Sequence, residues 1–186
     1  MGDHKARRGR SKADWLEAGL ECLASGSVEA ITVEGLARSL GIAKSGFYWH
    51  FRNRDDLLRQ MLDHWVHELT EVVTENPQLQ AMEPVARLVA TAEMILSYDL
   101  ARLDIAIRQW ALDDKLAARA VKKANRIRLG FVREALSELG FAGDELEMRA
   151  MLFVCYHTCE STMFPEIPRK RRRQLIAQRV RLLTSA

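Results

Sequence analysis

Residues 32–58 read TVEGLARSLGIAKSGFYWHFRNRDDLL, a stretch that carries the signals of two short helices and the start of a third. Threonine is a favoured N-cap residue, so Thr32 predicts the start of the first helix. Gly41 predicts its end, because glycine accepts the left-handed conformation that closes a helix. A second short helix follows at once, and Asn53 opens the third. We expect a small core formed by Leu36, Ala37, Leu40, Ile42, Phe47 and Phe51.

The second short helix leaves its remaining side chains outside this core. Lys44 and Ser45 lie at its start, and three polar-tipped rings follow at Tyr48, Trp49 and His50. A lysine, small residues and polar rings on an exposed helix suit insertion into the major groove of DNA. The positive end of the helix dipole also favours a phosphate. The stretch therefore predicts a helix-turn-helix that binds double-stranded DNA.

The same stretch resembles the DNA-binding domain of the tetracycline-repressor (TetR) family. The family pattern joins a threonine cap, an apolar-Ala pair, Gly-apolar at the turn, Tyr-x-His-Phe, basic-Asn-basic and acidic-Leu-Leu. In this sequence the pattern is Thr32, Leu36-Ala37, Gly41-Ile42, Tyr48-Trp49-His50-Phe51, Arg52-Asn53-Arg54 and Asp56-Leu57-Leu58. The resemblance implies an all-α fold of about nine helices. It places a helix-turn-helix DNA-binding domain at residues 1–60 and an effector-binding and dimerisation domain at residues 61–186.

The resemblance also assigns roles to individual side chains. It implies that eight residues contact DNA: Thr32, Lys44, Ser45, Gly46, Tyr48, Trp49, His50 and Arg54. Of these, Thr32 and Arg54 are expected to contact phosphates. Two positions depart from the pattern. Ala43 stands where a serine cap is common, so this helix start loses a side-chain acceptor. Glu34 stands where some members carry a basic residue that reads a base. Its carboxylate either accepts a hydrogen bond from cytosine N4 or, as we prefer, favours the helix N-terminus.

Residues that favour the start or end of a helix recur along the rest of the chain. No segment alternates apolar and polar residues for long with the period of two that a strand requires. Ser11, Asp113 and Asp144 are predicted N-caps, and the third helix of the stretch ends before Pro77. These features predict an all-α chain independently of the resemblance. The longest apolar run, residues 150–156, is far too short to span a bilayer, so we expect no membrane partner.

The composition is that of a folded, charge-rich protein. Of 186 residues, 48% are hydrophobic and 28% are charged, which excludes a wholly disordered chain. Three cysteines without a disulfide framework indicate a reducing compartment, so we expect a cytoplasmic protein. The net charge of +3 divides into +4 on residues 1–12, −8 on residues 13–168 and +7 on residues 169–186. The basic N-terminal segment is interpreted either as an arm that reaches DNA or as a solvated tail.

One predicted helix of the C-terminal region has a second face of mixed polarity, opposite its main apolar stripe. Such a face is typical of a ligand pocket wall, which needs apolar surface and a few hydrogen-bonding groups. The candidate effector-binding residues are Thr91, Met94, Tyr98, Trp110, Phe131 and His157. Helix packing without a cavity is the alternative. Asp104 and Arg108, four residues apart, are interpreted as a surface ion pair.

Residues 144–164 form a predicted helix with two apolar faces, so one face can meet the core and the other a partner subunit. Cys155, His157 and Cys159 invite comparison with a metal site. However, the two cysteines lie on the face opposite the histidine, so we expect no metal. The predicted dimer interface comprises Met148, Leu152, Cys155, Cys159, Ile176, Val180 and Leu183.

A basic run, Arg169–Arg173, begins the last predicted helix, where the helix dipole disfavours cations. One interpretation is a solvated run of charges. The other is pairing with Glu160 or Glu166 across the dimer interface.

The resemblance implies a homodimeric transcription regulator, usually a repressor, that binds a palindromic operator and responds to a small molecule. Because few charges fall on the candidate pocket faces, we expect that effector to be mostly apolar. No phosphate loop, HExxH or Ser/His/Asp grouping supports an enzyme, and no cofactor is expected. The alternatives are an activator, and a DNA-binding protein that works without an effector.

Overall fold

A computed structural model describes residues 10–185, and every regular element within them is helical, which confirms the all-α prediction. The chain divides into two compact units, Met1–His64 and Trp65–Ala186. None of the described helices is both long and apolar enough to cross a bilayer. The α-helices are α1 (Lys12–Ser25), α2 (Val33–Leu40), α3 (Arg54–Val66), α4 (Val72–Thr74), α5 (Pro77–Gln80), α6 (Pro84–Ser97), α7 (Leu100–Trp110), α8 (Lys115–Glu138), α9 (Gly143–Met163) and α10 (Arg169–Thr184).

Side-chain caps fix the helix starts of the N-terminal unit, as the sequence predicts. Ser11 forms a capping box at the start of α1. The Thr32 hydroxyl accepts a hydrogen bond from the Gly35 N–H at 3.0 Å, at the start of α2. The Asn53 side chain accepts one from the Asp56 N–H at 2.9 Å, at the start of α3. Each bond satisfies a backbone N–H that has no partner within its helix.

A tight turn after α2 directs the chain into the next helical segment. Gly41 has a φ of +69°, the left-handed conformation that the sequence predicts. Its N–H donates to the Arg38 carbonyl at 3.1 Å, and the Ile42 N–H donates to the Ala37 carbonyl at 3.0 Å. These bonds satisfy carbonyls at the end of α2. The segment that follows, Lys44–Trp49, is a 3₁₀-helix.

Aromatic rings form the centre of the N-terminal core. Trp15 and Phe47 are fully buried and meet edge to face, with ring centres 5.4 Å apart. Gly19 allows α1 to approach α3 closely, since a Cβ at this position would lie 2.6 Å from the sulfur of Met61. The predicted core residues are buried or half-buried: Leu36, Ala37, Leu40, Ile42, Phe47 and Phe51.

The C-terminal unit buries a second core. Its members include Leu88, Phe131, Leu136, Ala150, Phe153, Ile176 and Val180. This core corrects the predicted dimer interface, because Ile176 and Val180 are 1% and 0% exposed within the single chain. Leu183, also predicted at the interface, packs against the same core. The apolar stripe of α10 therefore packs into its own chain at Ile176 and Val180, whereas Leu183 remains half-buried.

Two predicted caps in the C-terminal unit are wrong by small shifts. Asp114, and not Asp113, caps α8, and its carboxylate accepts two backbone N–H bonds, at 2.7 and 2.9 Å. The N-cap residue of α9 is Ala142, which offers no side-chain acceptor. Asp144 lies in the first turn of α9, where its charge still complements the helix dipole.

The chain passes from the N-terminal to the C-terminal unit within α3, which then changes its helical pitch. A π-helical turn, His67–Glu71, follows α3 and leads directly into α4. Thr70, inside this turn, is buried. The continuous helical segment ends before Pro77, as predicted. Turns of this type interrupt the regular hydrogen-bond ladder and occur often at functional sites.

The basic run at the start of α10 is exposed at Arg169, Lys170, Arg171 and Arg173, as the solvated interpretation expects, but two of these side chains also bond to the end of α6. Arg169 donates to the carbonyls of Leu96, at 2.6 Å, and Ser97, at the end of α6. Arg173 donates to the Ser97 hydroxyl at 2.8 Å. Arg169 thus adds a donor to the carbonyls at the end of α6, and both cations lie at the negative end of its dipole.

Glu160 is paired within the chain by an arginine outside this run. Arg179 donates to its carboxylate at 2.6 Å and to the Tyr156 hydroxyl at 3.0 Å. Because Glu160 is only 7% exposed, this pairing is internal to the C-terminal unit.

Candidate DNA-binding surface and ligand cavity

The 3₁₀-helix Lys44–Trp49 presents a ring-rich outer face. Trp49 is 87% exposed and Tyr48 is 58% exposed. The burial of Phe47 in the core explains this, because its neighbours on a helix of three residues per turn must point elsewhere. The exposed residues among the predicted DNA contacts are Thr32, Lys44, Ser45, Tyr48 and Trp49.

The other three predicted contacts, Gly46, His50 and Arg54, are half-buried. A Cβ on Gly46 would lie 3.9 Å from the Trp15 ring, so this position faces the core and not an approaching base. The Nε2 atom of His50 lies 3.1 Å from the carbonyl oxygen of Arg10. Since a carbonyl only accepts, this ring nitrogen donates. His50 therefore holds the segment that precedes α1.

Arg54 is turned into the N-terminal unit. Its Nε donates to the Ile31 carbonyl at 2.7 Å, and its guanidinium also donates to the Val28 carbonyl. These bonds tie the start of α3 to the loop before α2, so the geometry favours a positioning role over the predicted phosphate contact. Arg52, which the assignment of contacts missed, is exposed and borders a surface depression beside Tyr48. The sequence feature that could have indicated Arg52 is its place in the basic-Asn-basic motif.

The predicted N-terminal arm lies largely outside the described residues, which begin at Arg10. Lys5, Arg7 and Arg8 belong to that part. Arg10 itself donates to the Leu40 carbonyl at 3.4 Å. The Nζ atom of Lys12 lies 6.0 Å from the centre of the Phe51 ring.

An ion pair joins the two helical segments of the exposed surface. The ammonium of Lys44 donates to the carboxylate of Glu34, in the first turn of α2. The hydrogen bond from Lys44 lowers the pKa of Glu34, and the same bond raises the pKa of Lys44, so both groups are charged at neutral pH. The surface that carries the predicted DNA contacts therefore includes one carboxylate.

A cavity of about 60 Å³ lies within the C-terminal unit. Three of the six residues predicted to bind an effector line it: Thr91, Phe131 and His157. The other three, Met94, Tyr98 and Trp110, do not line this cavity. Tyr98 is 71% exposed at the end of α6, and Trp110 is buried elsewhere in the unit. The wall also includes Leu69, Thr70, Thr74, Arg128 and Thr158, which sequence reasoning missed.

A buried ion cluster lies beside the cavity. Asp104 is 2% exposed, so the predicted surface ion pair is wrong. It accepts from Arg108 at 2.7 Å and from Arg128 at 2.6 Å. Arg128, which lines the cavity, also donates to the Thr70 hydroxyl at 3.0 Å. The sequence showed only the pair four residues apart, because Arg128 reaches the cluster from another helix.

His157 brings an uncharged hydrogen-bond acceptor to the cavity wall. Its Nδ1 donates to the Phe153 carbonyl at 2.8 Å, so the lone pair is on Nε2. Nε2 is buried and has no hydrogen-bond partner among the described residues. Burial lowers the pKa of His157 to about 4, which keeps the ring neutral near pH 7.

The geometry of α9 gives no basis for a metal site at its cysteines. Cys155 and Cys159 are exposed, whereas His157 is buried. The three side chains therefore do not converge on one ion. In the described part of the chain, no group of three His, Cys, Asp or Glu side chains is arranged to hold a metal.

Comparison with known proteins identifies the N-terminal unit. The sequence profile of bacterial regulatory proteins of the tetR family matches residues 16–61, which include most of α1, all of α2 and the 3₁₀-helix, and the start of α3. The N-terminal unit is therefore a TetR-family DNA-binding domain. Regulators of the TetR family are non-enzymatic DNA-binding proteins. No curated protein matches the full sequence closely.

Solved structures share the fold of this TetR-family chain along almost its whole length. A transcriptional regulator from Rhodococcus sp. Rha1 is 17% identical, with a TM-score of 0.73, over 94% of this chain and 96% of that one. FadR from Bacillus subtilis, in complex with stearoyl-CoA, is 16% identical, with a TM-score of 0.71, over 94% and 98%. Reduced NemR from E. coli is 16% identical, with a TM-score of 0.70, over 94% and 99%. At these identities the likeness shows the fold alone.

An apolar face of α9 is exposed on this TetR-family regulator. Met148 and Leu152 are 58% and 50% exposed, and both cysteines of the helix share the exposure. Met151, which sequence reasoning left out of the interface, is 49% exposed. The opposite side of α9 packs into the core through Ala150 and Phe153. The two-faced character predicted for this helix is therefore present in the fold.

Proposed function

We propose that this TetR-family chain is a homodimeric, ligand-responsive repressor that binds a palindromic operator and acts in the cytoplasm, where the DNA is. The DNA-binding part corresponds to residues 1–60, and residues 61–186 dimerise and bind the effector. The observation that carries the proposal is the exposed face of Lys44–Trp49, which joins a cation and two aromatic rings on a helix-turn-helix. Two such faces in a symmetric dimer would read half-sites about 34–36 Å apart.

The DNA-binding surface is tested by removing its exposed groups. Tyr48→Ala and Lys44→Ala should each weaken operator binding about tenfold or more, because they remove a ring and a cation that would face phosphates or bases. Tyr98→Ala is the matched control, since Tyr98 is also an exposed tyrosine and lies in the other unit. Binding is measured by fluorescence anisotropy at fixed salt, on an operator selected from random DNA. Full affinity in both variants would refute this placement of DNA.

Dimerisation through α9 is supported by its exposed apolar face. Solvent-exposed apolar patches of this kind mark protein interfaces, and symmetric pairing would put the same face of two copies together. Leu152→Asp should therefore give a monomer in sedimentation velocity. Leu116→Asp is the control, because Leu116 is an exposed leucine of α8 with a similar exposed fraction of 48%. A dimer that persists in Leu152→Asp would exclude α9 as the interface.

The effector site is assigned to the cavity. Its wall is mostly apolar with a few polar groups, among them Thr70, Thr158 and the free acceptor of His157. This composition supports a mostly apolar effector with one hydrogen-bond donor, such as a hydroxyl. The volume of about 60 Å³ is far below the roughly 300–1,000 Å³ of sites that enclose drug-sized ligands. Such an effector must therefore widen the cavity, and that movement is a source of signal.

The path of the signal is proposed to be the π-helical turn. Thr70 lies in this turn, lines the cavity and accepts a hydrogen bond from Arg128. An effector that displaces Arg128 would release the turn, and α3 continues from it into the DNA-binding unit. Thr91→Trp should fill the cavity and abolish effector-induced release while operator binding is kept. Glu93→Trp, at an exposed position of the same helix, is the control.

A second candidate is a regulator that needs no effector. The observation that favours it is the small size of the cavity. A screen of apolar alcohols and phenols for release of the operator distinguishes the two. Release that Thr91→Trp abolishes supports the effector-responsive function, whereas no release by any compound favours the second candidate.

A further inference from the structure

The exposed surface of the helix-turn-helix carries a carboxylate bonded to its own lysine. Glu34 lies in the first turn of α2, and Lys44 is the first residue of the 3₁₀-helix, so the ion pair crosses the turn between the two segments. Their side chains are 59% and 48% exposed. The pair is therefore open to solvent, and a ligand that approaches this surface meets both charges.

This arrangement is unfavourable for binding DNA of arbitrary sequence. Affinity for random DNA comes from cations that neutralise phosphates. Lys44 is already neutralised by Glu34, and a carboxylate repels the phosphate backbone. Glu34 also occupies the positive end of the α2 dipole, where a phosphate would otherwise be favoured. For non-specific binding, the surface thus loses the net positive charge of one lysine.

The same two groups match the edge of one base pair. In the major groove, a C·G pair presents the N4 amino group of cytosine as a donor and O6 and N7 of guanine as acceptors. A carboxylate accepts from cytosine N4, and a lysine donates to guanine O6 and N7. Exposed ion pairs are weak, so the exchange of one partner for a base edge costs little. A carboxylate beside a lysine is therefore complementary to a C·G pair and to no phosphate.

We propose that Glu34 determines specificity: it holds Lys44 in an ion pair on random DNA, and on the operator the two side chains read one C·G base pair together. This inference rests on the proposed placement of DNA against the exposed face of Lys44–Trp49. It goes beyond that placement by naming the base pair that is read and the residue that penalises other sequences.

The proposal is tested with Glu34→Gln in the full-length protein. Asp113→Asn is the control, because it removes the same charge at an exposed position of the C-terminal unit, outside the helix-turn-helix. Three measurements are made at fixed salt on each protein: affinity for a random-sequence duplex, affinity for the operator selected by the wild type, and the base preference at every operator position in a new selection. The salt dependence of random-duplex binding is recorded as well.

Glu34→Gln should bind the random duplex several-fold more tightly, with a salt slope steeper by about 0.9, because Lys44 becomes free to neutralise one phosphate. Preference for C·G at one position should fall by about fivefold or more, and Asp113→Asn should change neither quantity. A ratio of operator to random affinity that equals the wild-type ratio overturns the proposal, whether both affinities rise together or neither changes. If Tyr48→Ala also leaves binding intact, the placement of DNA fails; if only the ratio is unchanged, the role of Glu34 fails alone.

Discussion

The buried histidine of α9 should make the stability of the protein depend on pH in a way that one substitution removes. His157 is 6% exposed, and its Nε2 has no hydrogen-bond partner among the described residues. Burial lowers its pKa from 6.5 to about 4. Protonation of the ring in the folded protein would put an unpaired charge in the core, whereas the unfolded chain accepts the proton freely. The unfolded state therefore binds more protons than the folded state between these two pKa values.

The size of the effect follows from this difference. Above about pH 6.5 the ring is neutral in both states, and the histidine adds no dependence on pH. As the pH falls from 6.5 toward 4, proton uptake by the unfolded chain lowers the free energy of unfolding. The loss is about 2 kcal/mol at pH 5 and about 3 kcal/mol at pH 4. This is a large share of the roughly 5–15 kcal/mol that stabilises a typical protein.

His157→Phe should remove this loss, since phenylalanine does not titrate and its ring has a similar shape. The assay is urea unfolding at a series of pH values from 7.5 to 4, monitored by circular dichroism at one protein concentration. The unfolding free energy of the variant minus that of the wild type should increase by about 2 kcal/mol when the pH is lowered from 7.5 to 5. Val154→Ala is the control, because Val154 lines the same cavity without an ionisable group and should cost the same at each pH. A difference between His157→Phe and wild type that is constant with pH would show that the histidine is not a buried neutral group.

Three further substitutions test other parts of the structure by urea unfolding. Asp104→Asn should lower the free energy of unfolding by about 3–5 kcal/mol, because it leaves Arg108 and Arg128 without their shared carboxylate; a loss no larger than that of exposed Asp113→Asn would contradict the buried cluster. Thr32→Ala should cost about 1 kcal/mol and Thr32→Ser much less, since only the hydroxyl caps α2; equal losses would rule out the cap. Gly41→Ala should cost about 1–2 kcal/mol through its left-handed φ, and no loss would mean that the turn has another conformation.

Much of the N-terminal unit was predictable because its signals are local. A cap joins residues three apart, as Thr32 and Gly35 do, and a left-handed glycine ends a helix wherever the following turn requires it. The spacing of Phe47 and Phe51 fixed which side of the segment is buried and left Tyr48 exposed. These features depend on the order of a few neighbouring residues, so a sequence carries them without reference to the rest of the fold.

Charged side chains were predicted less well because their partners are distant in sequence. Arg54 bonds to carbonyls 23 and 26 residues away, and Arg169 caps a helix that ends more than 70 residues before it. Arg128 reaches Asp104 from another helix. A long cationic side chain finds whatever acceptors the packed helices bring near, and periodicity contains no information about them. Met94, Tyr98 and Trp110 lie outside the cavity for a related reason, since a cavity is defined by several helices at once.

The sequence by itself determined that the chain is helical, where most of its N-terminal helices begin and end, and which family its DNA-binding unit belongs to. Only the tertiary structure decided what each apolar stripe covers. Ile176 and Val180 form a stripe that a sequence cannot assign to its own core or to a partner, and they are buried in their own chain. Met148 and Leu152 form a similar stripe that stays exposed. The physical reason is that the hydrophobic effect rewards the removal of apolar area from water without regard to the surface that covers it. The local pattern of apolar residues therefore specifies that a helix face is to be buried. The packing of the helices specifies which surface buries it.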